Sequence, residues 1–173
     1  MKLNKLATGI ALASGIATFA ASADQGSGNI DFTGSIIDAP CSIHPDSTKQ
    51  EIDLGQIAAR QLAGSGTSTP REFKILLENC DITGTEKTVK ITFGGSNAGG
   101  DNKLLGITGT ASGAGVAMTD SNGNRIELGK ASNARDLTEG PNTLIFTAFL
   151  QGLGGTPVTG DFYASTDFTL AYQ

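Results

Sequence analysis

Chemically reactive side chains are scarce in this sequence of 173 residues. It contains one histidine, two cysteines and no tryptophan, and only 17% of its residues are charged. A metal site needs several ligating side chains, and an enzymatic nucleophile needs a base beside it. The composition therefore disfavours most classes of enzyme, and we expect no catalytic site, no cofactor and no bound metal.

Basic residues are also few, and they form no patch along the sequence. Lysine and arginine together number 12 against 17 aspartates and glutamates, which gives a formal net charge of -5. Nucleic-acid-binding domains usually carry a basic face or stripe. We therefore expect no nucleic-acid partner, and the length suits a single domain.

The segment 1–23 has the pattern of a secretory signal peptide. Lys2 and Lys5 precede an uncharged, mostly apolar run at 6–21, and the small residues A-S-A at 21–23 form a cleavage pattern. The run is shorter than the ~20 apolar residues of a membrane-spanning helix, which disfavours the alternative of a retained anchor. We expect cleavage at the end of this segment and a mature protein that functions outside the cytoplasm.

An oxidising compartment determines how the two cysteines are interpreted. Secreted proteins form disulfides, so Cys41 and Cys80 are expected to pair. Closing a loop of about 40 residues lowers the conformational entropy of the unfolded chain. In the chain-entropy model this raises the free energy of unfolding by roughly 4 kcal/mol. The alternative is a zinc half-site of Cys41 and His44, which would also need Cys80 and a fourth ligand of unidentified origin.

Apolar and polar residues alternate along much of the chain, with the period of a half-buried β-strand. The alternating residues are Phe73, Ile75 and Leu77; Val89, Ile91 and Phe93; Val116 and Met118; Ile126 and Leu128; Leu144, Phe146, Ala148 and Leu150; and Phe162, Ala164, Thr166, Phe168, Leu170 and Tyr172. Glycine-rich loops separate these runs, and Asn122-Gly123 is a hairpin signal. The pattern predicts an all-β sandwich or barrel, with one short helix over 56–62.

The segment 24–37 shows the same alternation near the N-terminus. Period-2 alternation places Gly28, Ile30, Phe32, Gly34 and Ile36 on one side of an extended strand. A free strand of this kind leaves its backbone unpaired and its apolar row exposed, so a receiving surface is required. The segment is either the first strand of its own sheet or a strand that another molecule receives.

Several motifs resemble those of the pilin subunits of chaperone–usher fimbriae, the type 1 and P-pilus group. The resemblance covers essentially the whole mature chain and includes Tyr172 as the penultimate residue and Gly160 as the fourteenth residue from the C-terminus. The motifs are F-T-G-S-I at 32–36, D-A-P-C-S-I at 38–43, F-K-I-L-L-E-N-C at 73–80 and D-F-T-L-A-Y-Q at 167–173.

The resemblance implies an incomplete immunoglobulin-like pilin domain over 38–173, lacking its last strand, preceded by an N-terminal donor-strand extension at 24–37. A periplasmic chaperone would fill the resulting groove first, and at the outer-membrane usher the donor row of the next subunit, Gly28 to Ile36, would replace it. The residues expected to line the acceptor groove and contact the chaperone are Gly160, Phe162, Ala164, Thr166, Phe168, Leu170 and Tyr172.

The resemblance also implies that the Cys41–Cys80 disulfide ties the first two strands of the domain together. The alternation does not fit this simply, because Cys80 has the opposite parity to Phe73, Ile75 and Leu77. Cys80 therefore shares their face only if a β-bulge intervenes.

The function implied is that of a non-enzymatic major subunit of a bacterial surface fimbria, joined head to tail with identical or related pilins and supporting cell adhesion. Its location would be extracellular, after export through the periplasm of a Gram-negative bacterium. The alternatives are a minor adaptor or tip-proximal subunit and, with less support, a secreted carbohydrate-binding module. A hydrolase is disfavoured because His44, the single histidine, lies in a polar stretch typical of a solvated loop.

Overall fold

Residues 28–173 are described by the structure, which is a computed structural model. The predicted signal peptide 1–23 and the first part of the predicted extension, 24–27, lie outside the described residues. The chain divides into two units, of which the second is Ile37–Gln173. No helix in the described part of the chain has the length and apolar character needed to cross a membrane.

Short helical segments and eleven strands form the unit Ile37–Gln173. The helical segments are α1 (Pro45–Thr48), α2 (Ala59–Leu62) and a 3-10 turn at Ala63–Ser65. The strands are β1 (Ser42–Ile43), β2 (Arg71–Cys80), β3 (Thr88–Phe93), β4 (Asn97–Ala98), β5 (Asp101–Gly106), β6 (Thr108–Gly109), β7 (Ala114–Asp120), β8 (Arg135–Asp136), β9 (Gly140–Gly152), β10 (Phe162–Tyr163) and β11 (Phe168–Tyr172).

The strands form three antiparallel sheets. The largest has the order β1-β2-β9-β7-β5-β4, a second has the order β11-β3-β8, and β10 pairs with β6. Alternate side chains of β2, β3, β7 and β9 meet in one apolar core. Phe93 and Phe146 pack edge to face at its centre, with ring centroids 5.2 Å apart. Burial of each such side chain stabilises the fold by about 1.5–3 kcal/mol. Because only one face of each strand is buried, apolar residues recur at every second position, and this pattern locates the strands in the sequence.

The disulfide between Cys41 and Cys80 is present, and both residues are buried. The register of β2 on β9 shifts between Leu77 and Cys80, so one extra residue lies on β2. Asn79 adopts a left-handed conformation in this bulge, with φ of 52°. The bulge turns Cys80 onto the buried face of Leu77, which resolves the parity conflict. Because both sulfurs are bonded to each other, neither is available to zinc.

The predicted strand around Ile126 and Leu128 is wrong. The Asn122-Gly123 turn does follow β7, but its second arm contains only an isolated bridge between Thr119 and Arg125. The Leu128 N–H donates to a carbonyl in β5, and the next N–H donates to the carbonyl of Phe93 in β3. The segment therefore crosses from one sheet to the other instead of completing a hairpin.

The predicted helix over 56–62 is present only in its second half, as α2 and the 3-10 turn that follows. Gly64 breaks the helical conformation inside the 3-10 turn with a φ of 60°, which glycine adopts without steric cost. The preceding residues 56–58 are extended or irregular. The helical segment is thus shorter at its start than the apolar pattern suggested.

Candidate functional site

The strand β11 is a long edge strand, and this distinguishes it within the described part of the chain. The other strands at sheet edges, which are β1, β4, β6, β8 and β10, have two residues each, whereas β11 has five. Short edge strands are one means by which proteins avoid pairing with other chains. The β11 edge lacks this protection.

The hydrogen bonds of β11 leave alternate backbone groups facing away from β3. Gln173 and Thr88 exchange both of their backbone hydrogen bonds, at 2.9 Å and 2.8 Å. Bonded and non-bonded pairs alternate along an antiparallel ladder. The N–H and C=O groups of Phe168, Leu170 and Tyr172 therefore face the open edge.

The side chains of the same three residues contact the core but are only partly covered. Phe168, Leu170 and Tyr172 are half-buried, whereas the intervening residues of β11 are exposed. Phe162 and Ala164, which precede β11, are half-buried against the same core. We call the surface formed by Phe162, Ala164, Phe168, Leu170 and Tyr172 the acceptor row.

The hydroxyl of Tyr172 is buried and has no hydrogen-bond partner among the described residues. Burial also raises the pKa of this phenol, because the charged form loses its hydration. A buried hydroxyl without a partner destabilises the domain. The end of the acceptor row therefore contains a buried polar group that is unpaired among the described residues.

The edge of β2 beyond β1 is covered, in contrast to that of β11. The N–H of His44 donates to the carbonyl of Leu76 at 3.0 Å, and the N–H of Leu76 donates to the hydroxyl of Ser47 at 2.8 Å. The amide of Gln50 donates to the carbonyl of Lys74 at 2.7 Å. The chain thus satisfies the polar groups along the β2 edge with its own segment 44–50.

Two of the predicted groove residues have different surroundings from those expected. Thr166 is exposed, and its hydroxyl donates to the carbonyl of Gly94 at 2.7 Å. Gly160 is exposed and lies against the segment that contains Thr110. The expected single strand over 162–172 is interrupted as well, because β10 pairs with β6 while β11 pairs with β3.

The N-terminal segment 28–36 contains no strand, and its apolar side chains are exposed. Ile30 is 76% exposed, Phe32 is 91% exposed, and Ile36 is fully exposed. The segment therefore has the alternating pattern of a strand without forming one within residues 28–36. It presents an unsatisfied apolar row with the spacing of a strand.

Comparisons with known proteins agree on one family. The family model described as Fimbrial protein matches residues 30–173. The chain belongs to the fimbrial protein family. Fimbria A protein of Serratia marcescens is 53% identical over 175 residues, and the Major MR/P fimbria protein of Proteus mirabilis is 50% identical over 176, each alignment covering 100% of both chains. A subunit in a solved chaperone–usher pilus is 34% identical with a TM-score of 0.77, covering 86% of this chain and 97% of that chain.

Family membership confirms several predictions made from the sequence. The fimbrial subunit is a structural, non-enzymatic protein, its fold is the immunoglobulin-like fold of pilins, and it polymerises with other pilin subunits into surface fimbriae. The Cys41–Cys80 disulfide is also confirmed.

His44 has a structural role in the fimbrial subunit. Its Nδ1 accepts the N–H of Asp46 at 3.2 Å and so caps the first turn of α1. Sequence reasoning placed His44 in a solvated loop, and the four-residue helix that it caps was missed. Across residues 28–173, no group of three or more histidine, cysteine or carboxylate side chains is arranged to hold a metal.

A polar hollow of about 130 Å³ lies beneath the turn after β7. Burial alone would raise the pKa of the Asp120 carboxyl, but hydrogen bonds from Asn124 and Asn122 and the charge of Arg135 outweigh it and lower the pKa. Asn124 donates to both Asp120 oxygens, through its N–H at 2.9 Å and its side-chain amide at 3.0 Å. The carboxylate is therefore engaged in holding the turn.

Proposed function

We propose that the fimbrial subunit polymerises by donor strand exchange, in which the extension 24–37 of one subunit adds a strand beside β11 of the next. The observation that carries this proposal is the five-residue edge of β11, whose outward backbone groups belong to the same residues, Phe168, Leu170 and Tyr172, whose side chains are half-buried against the core. Addition of a strand to an exposed sheet edge uses backbone hydrogen bonds for affinity and alternate side chains for specificity.

The donor row of the extension matches the acceptor row in spacing and in chemistry. Alternate residues of a strand are about 6.6 Å apart, so Ile30, Phe32 and Ile36 follow the same repeat as Phe168 and Leu170. Complete burial of each of these donor side chains would favour the joining of two subunits by about 1.5–3 kcal/mol. The free-energy cost of ordering the extension is subtracted from this gain. The gain is large because all three are exposed in the free segment.

Gly34 is the donor position at which the backbone would approach the acceptor most closely. It lies between Phe32 and Ile36 in the donor row, and a Cβ atom added to it would have nothing within 4 Å in the free chain. The free extension therefore gives no reason for a glycine here. A close approach in the joined state supplies one, since only glycine lacks the side chain that would hold the backbones apart.

The same surface explains why the subunit would need a chaperone before assembly. An exposed apolar row beside an unpaired edge promotes aggregation. A periplasmic chaperone that temporarily lends a strand would protect this surface during export, and exchange at an outer-membrane usher would replace the lent strand with the extension of the next subunit. A head-to-tail contact that does not close into a ring produces a fibre.

Deletion of 24–36, with the secretion signal retained, tests the proposal. We expect the deleted subunit to accumulate in the periplasm as a folded, oxidised, chaperone-bound monomer and to be absent from surface fibres, whereas the full chain forms polymers that resist detergent until heated. Non-reducing gels of periplasmic extract and of sheared surface material measure both outcomes. Polymers from the deleted subunit would contradict the proposal, and so would its complete unfolding.

A further inference from the structure

A dense group of hydrogen bonds fixes the chain just before the acceptor row. The carbonyl of Asp161 accepts the N–H groups of Thr110 and Ala111, each at 3.0 Å. The N–H of Asp161 donates to the hydroxyl of Thr110, also at 3.0 Å. Both backbone polar groups of Asp161 are therefore bound by one short segment, and Thr110 contributes to both.

Two glycines allow the segments to approach closely enough for these bonds. Gly160 has a φ of 154°, and a Cβ atom on it would lie 2.4 Å from the Thr110 hydroxyl oxygen. Gly109 has a φ of 122°, and a Cβ atom on it would lie 2.4 Å from the Asp161 carbonyl oxygen. At both positions a residue with a side chain would be strained by the backbone conformation and would clash with the neighbouring oxygen. The contact between Thr110 and Asp161 is thus a tightly fitted part of the fold.

This contact determines where the acceptor row begins. Phe162, the first residue of the row, follows Asp161 directly and pairs with Gly109 in the sheet of β6 and β10. Each of those strands has two residues, and a pair this short provides little stability alone. The bonds from Thr110 therefore make a substantial contribution to the position of Phe162.

We propose that Thr110 is a positioning residue for strand insertion, which by holding the backbone of Asp161 sets Phe162 in place to receive an incoming strand. This inference rests on the proposed donor strand exchange. It concerns a residue on the β6 side of the domain, outside the acceptor row itself.

The test uses the purified complex of the full-length subunit with its periplasmic chaperone, in which the lent strand keeps the subunit's own extension out of the acceptor row, and a fluorescent peptide with the sequence of 24–37. Thr110→Val removes the hydroxyl and keeps the shape, Thr110→Ser keeps the hydroxyl, and Thr143→Val is the matched control. Thr143 is exposed on β9, and its side chain makes no hydrogen bond within the described residues. Fluorescence anisotropy gives the rate of peptide association for each protein.

Loss of one hydrogen bond predicts an association rate about two- to tenfold lower for Thr110→Val. Thr110→Ser and Thr143→Val should remain within about twofold of the wild-type rate. An unchanged rate for Thr110→Val, or a Thr110→Ser variant as slow as Thr110→Val, would overturn the inference. Failure of the wild-type subunit to bind the peptide would instead overturn the proposed exchange, so the two failures are distinguishable.

Hydrogen exchange separates positioning from general destabilisation. Because Thr110 is exposed, loss of its hydroxyl should not disturb the core. We expect faster amide exchange at 158–163 in Thr110→Val, with exchange in β2 and β9 unchanged. Faster exchange throughout the core would assign the effect to global stability and would also overturn the inference.

Discussion

Replacement of Phe32 by alanine in the donor strand tests the proposed exchange quantitatively. Phe32 is 91% exposed in the free extension, and in the joined state its ring would be buried in the acceptor row. Burial of a phenylalanine side chain contributes about 1.5–3 kcal/mol, and every 1.4 kcal/mol is a tenfold change in affinity. Phe32→Ala should therefore weaken the joint by about ten- to a hundredfold.

The assay is competition between peptides for the acceptor row. Unlabelled 24–37 peptides carrying the natural sequence, Phe32→Ala or Thr33→Ala compete with a labelled natural peptide for the purified chaperone-bound subunit. Thr33 is the matched control, since it is adjacent and exposed but has the opposite parity along the strand. We expect Thr33→Ala to compete about as well as the natural peptide.

Two results would refute this reasoning. Equal competition by the Phe32→Ala and natural peptides would show that the ring is not buried on joining. An equal loss for Phe32→Ala and Thr33→Ala would show that the segment does not bind as a strand with one inward face. The full-length Phe32→Ala subunit should keep the wild-type urea midpoint, because the ring is exposed in the free chain.

Three further predictions concern other parts of the subunit. Gly34→Asn should give folded monomer but no fibres, because its side chain would hold the joined backbones apart; normal fibres in electron micrographs would contradict this. Cys41→Ser should lower the free energy of unfolding by roughly 4 kcal/mol, as the 40-residue loop to Cys80 is released, so an unchanged urea midpoint would argue against this role. The pKa of Asp120 in the folded protein lies below its ordinary value of 3.8. The ionised carboxylate therefore stabilises the fold at pH values above 3.8, and this stabilisation is lost as the pH falls through the lower pKa of the folded protein. Asp120→Asn should therefore reduce stability at neutral pH and flatten the loss of stability at acidic pH, which urea midpoints measured against pH would reveal.

The long strands of the sandwich were predictable from the sequence because one face of each is buried in a common core. Phe73, Ile75 and Leu77 alternate for this reason in β2, and Leu144 and Phe146 do so in β9. Strands of two residues carry no detectable period, so β1, β4, β6 and β8 were not predicted, and β10 was predicted only as part of one longer strand over 162–172. The four-residue helix α1 was missed for the same reason.

Features that depend on distant partners were the ones that sequence reasoning could not supply. The alternation through 162–172 indicated one strand, but the N–H of Gly94 donates to the carbonyl of Asp167, and the Thr166 hydroxyl bonds back to Gly94. These bonds join residues 72 positions or more apart, and the strand is interrupted because β10 pairs with β6 while β11 pairs with β3. Parity nevertheless identified Phe168, Leu170 and Tyr172, because their period arises from the core that they contact.

Amide hydrogen exchange along β11 tests the central claim most directly. In the monomer freed of its chaperone, the outward-facing N–H groups of Phe168, Leu170 and Tyr172 should exchange quickly, whereas those of Thr169 and Ala171, which bond to β3, should be protected. In assembled fimbriae the account predicts that all five N–H groups are protected, since a donated strand pairs with the open edge. If the three outward-facing groups exchange as quickly in the fimbria as in the monomer, no strand has been added beside β11, and the account is contradicted.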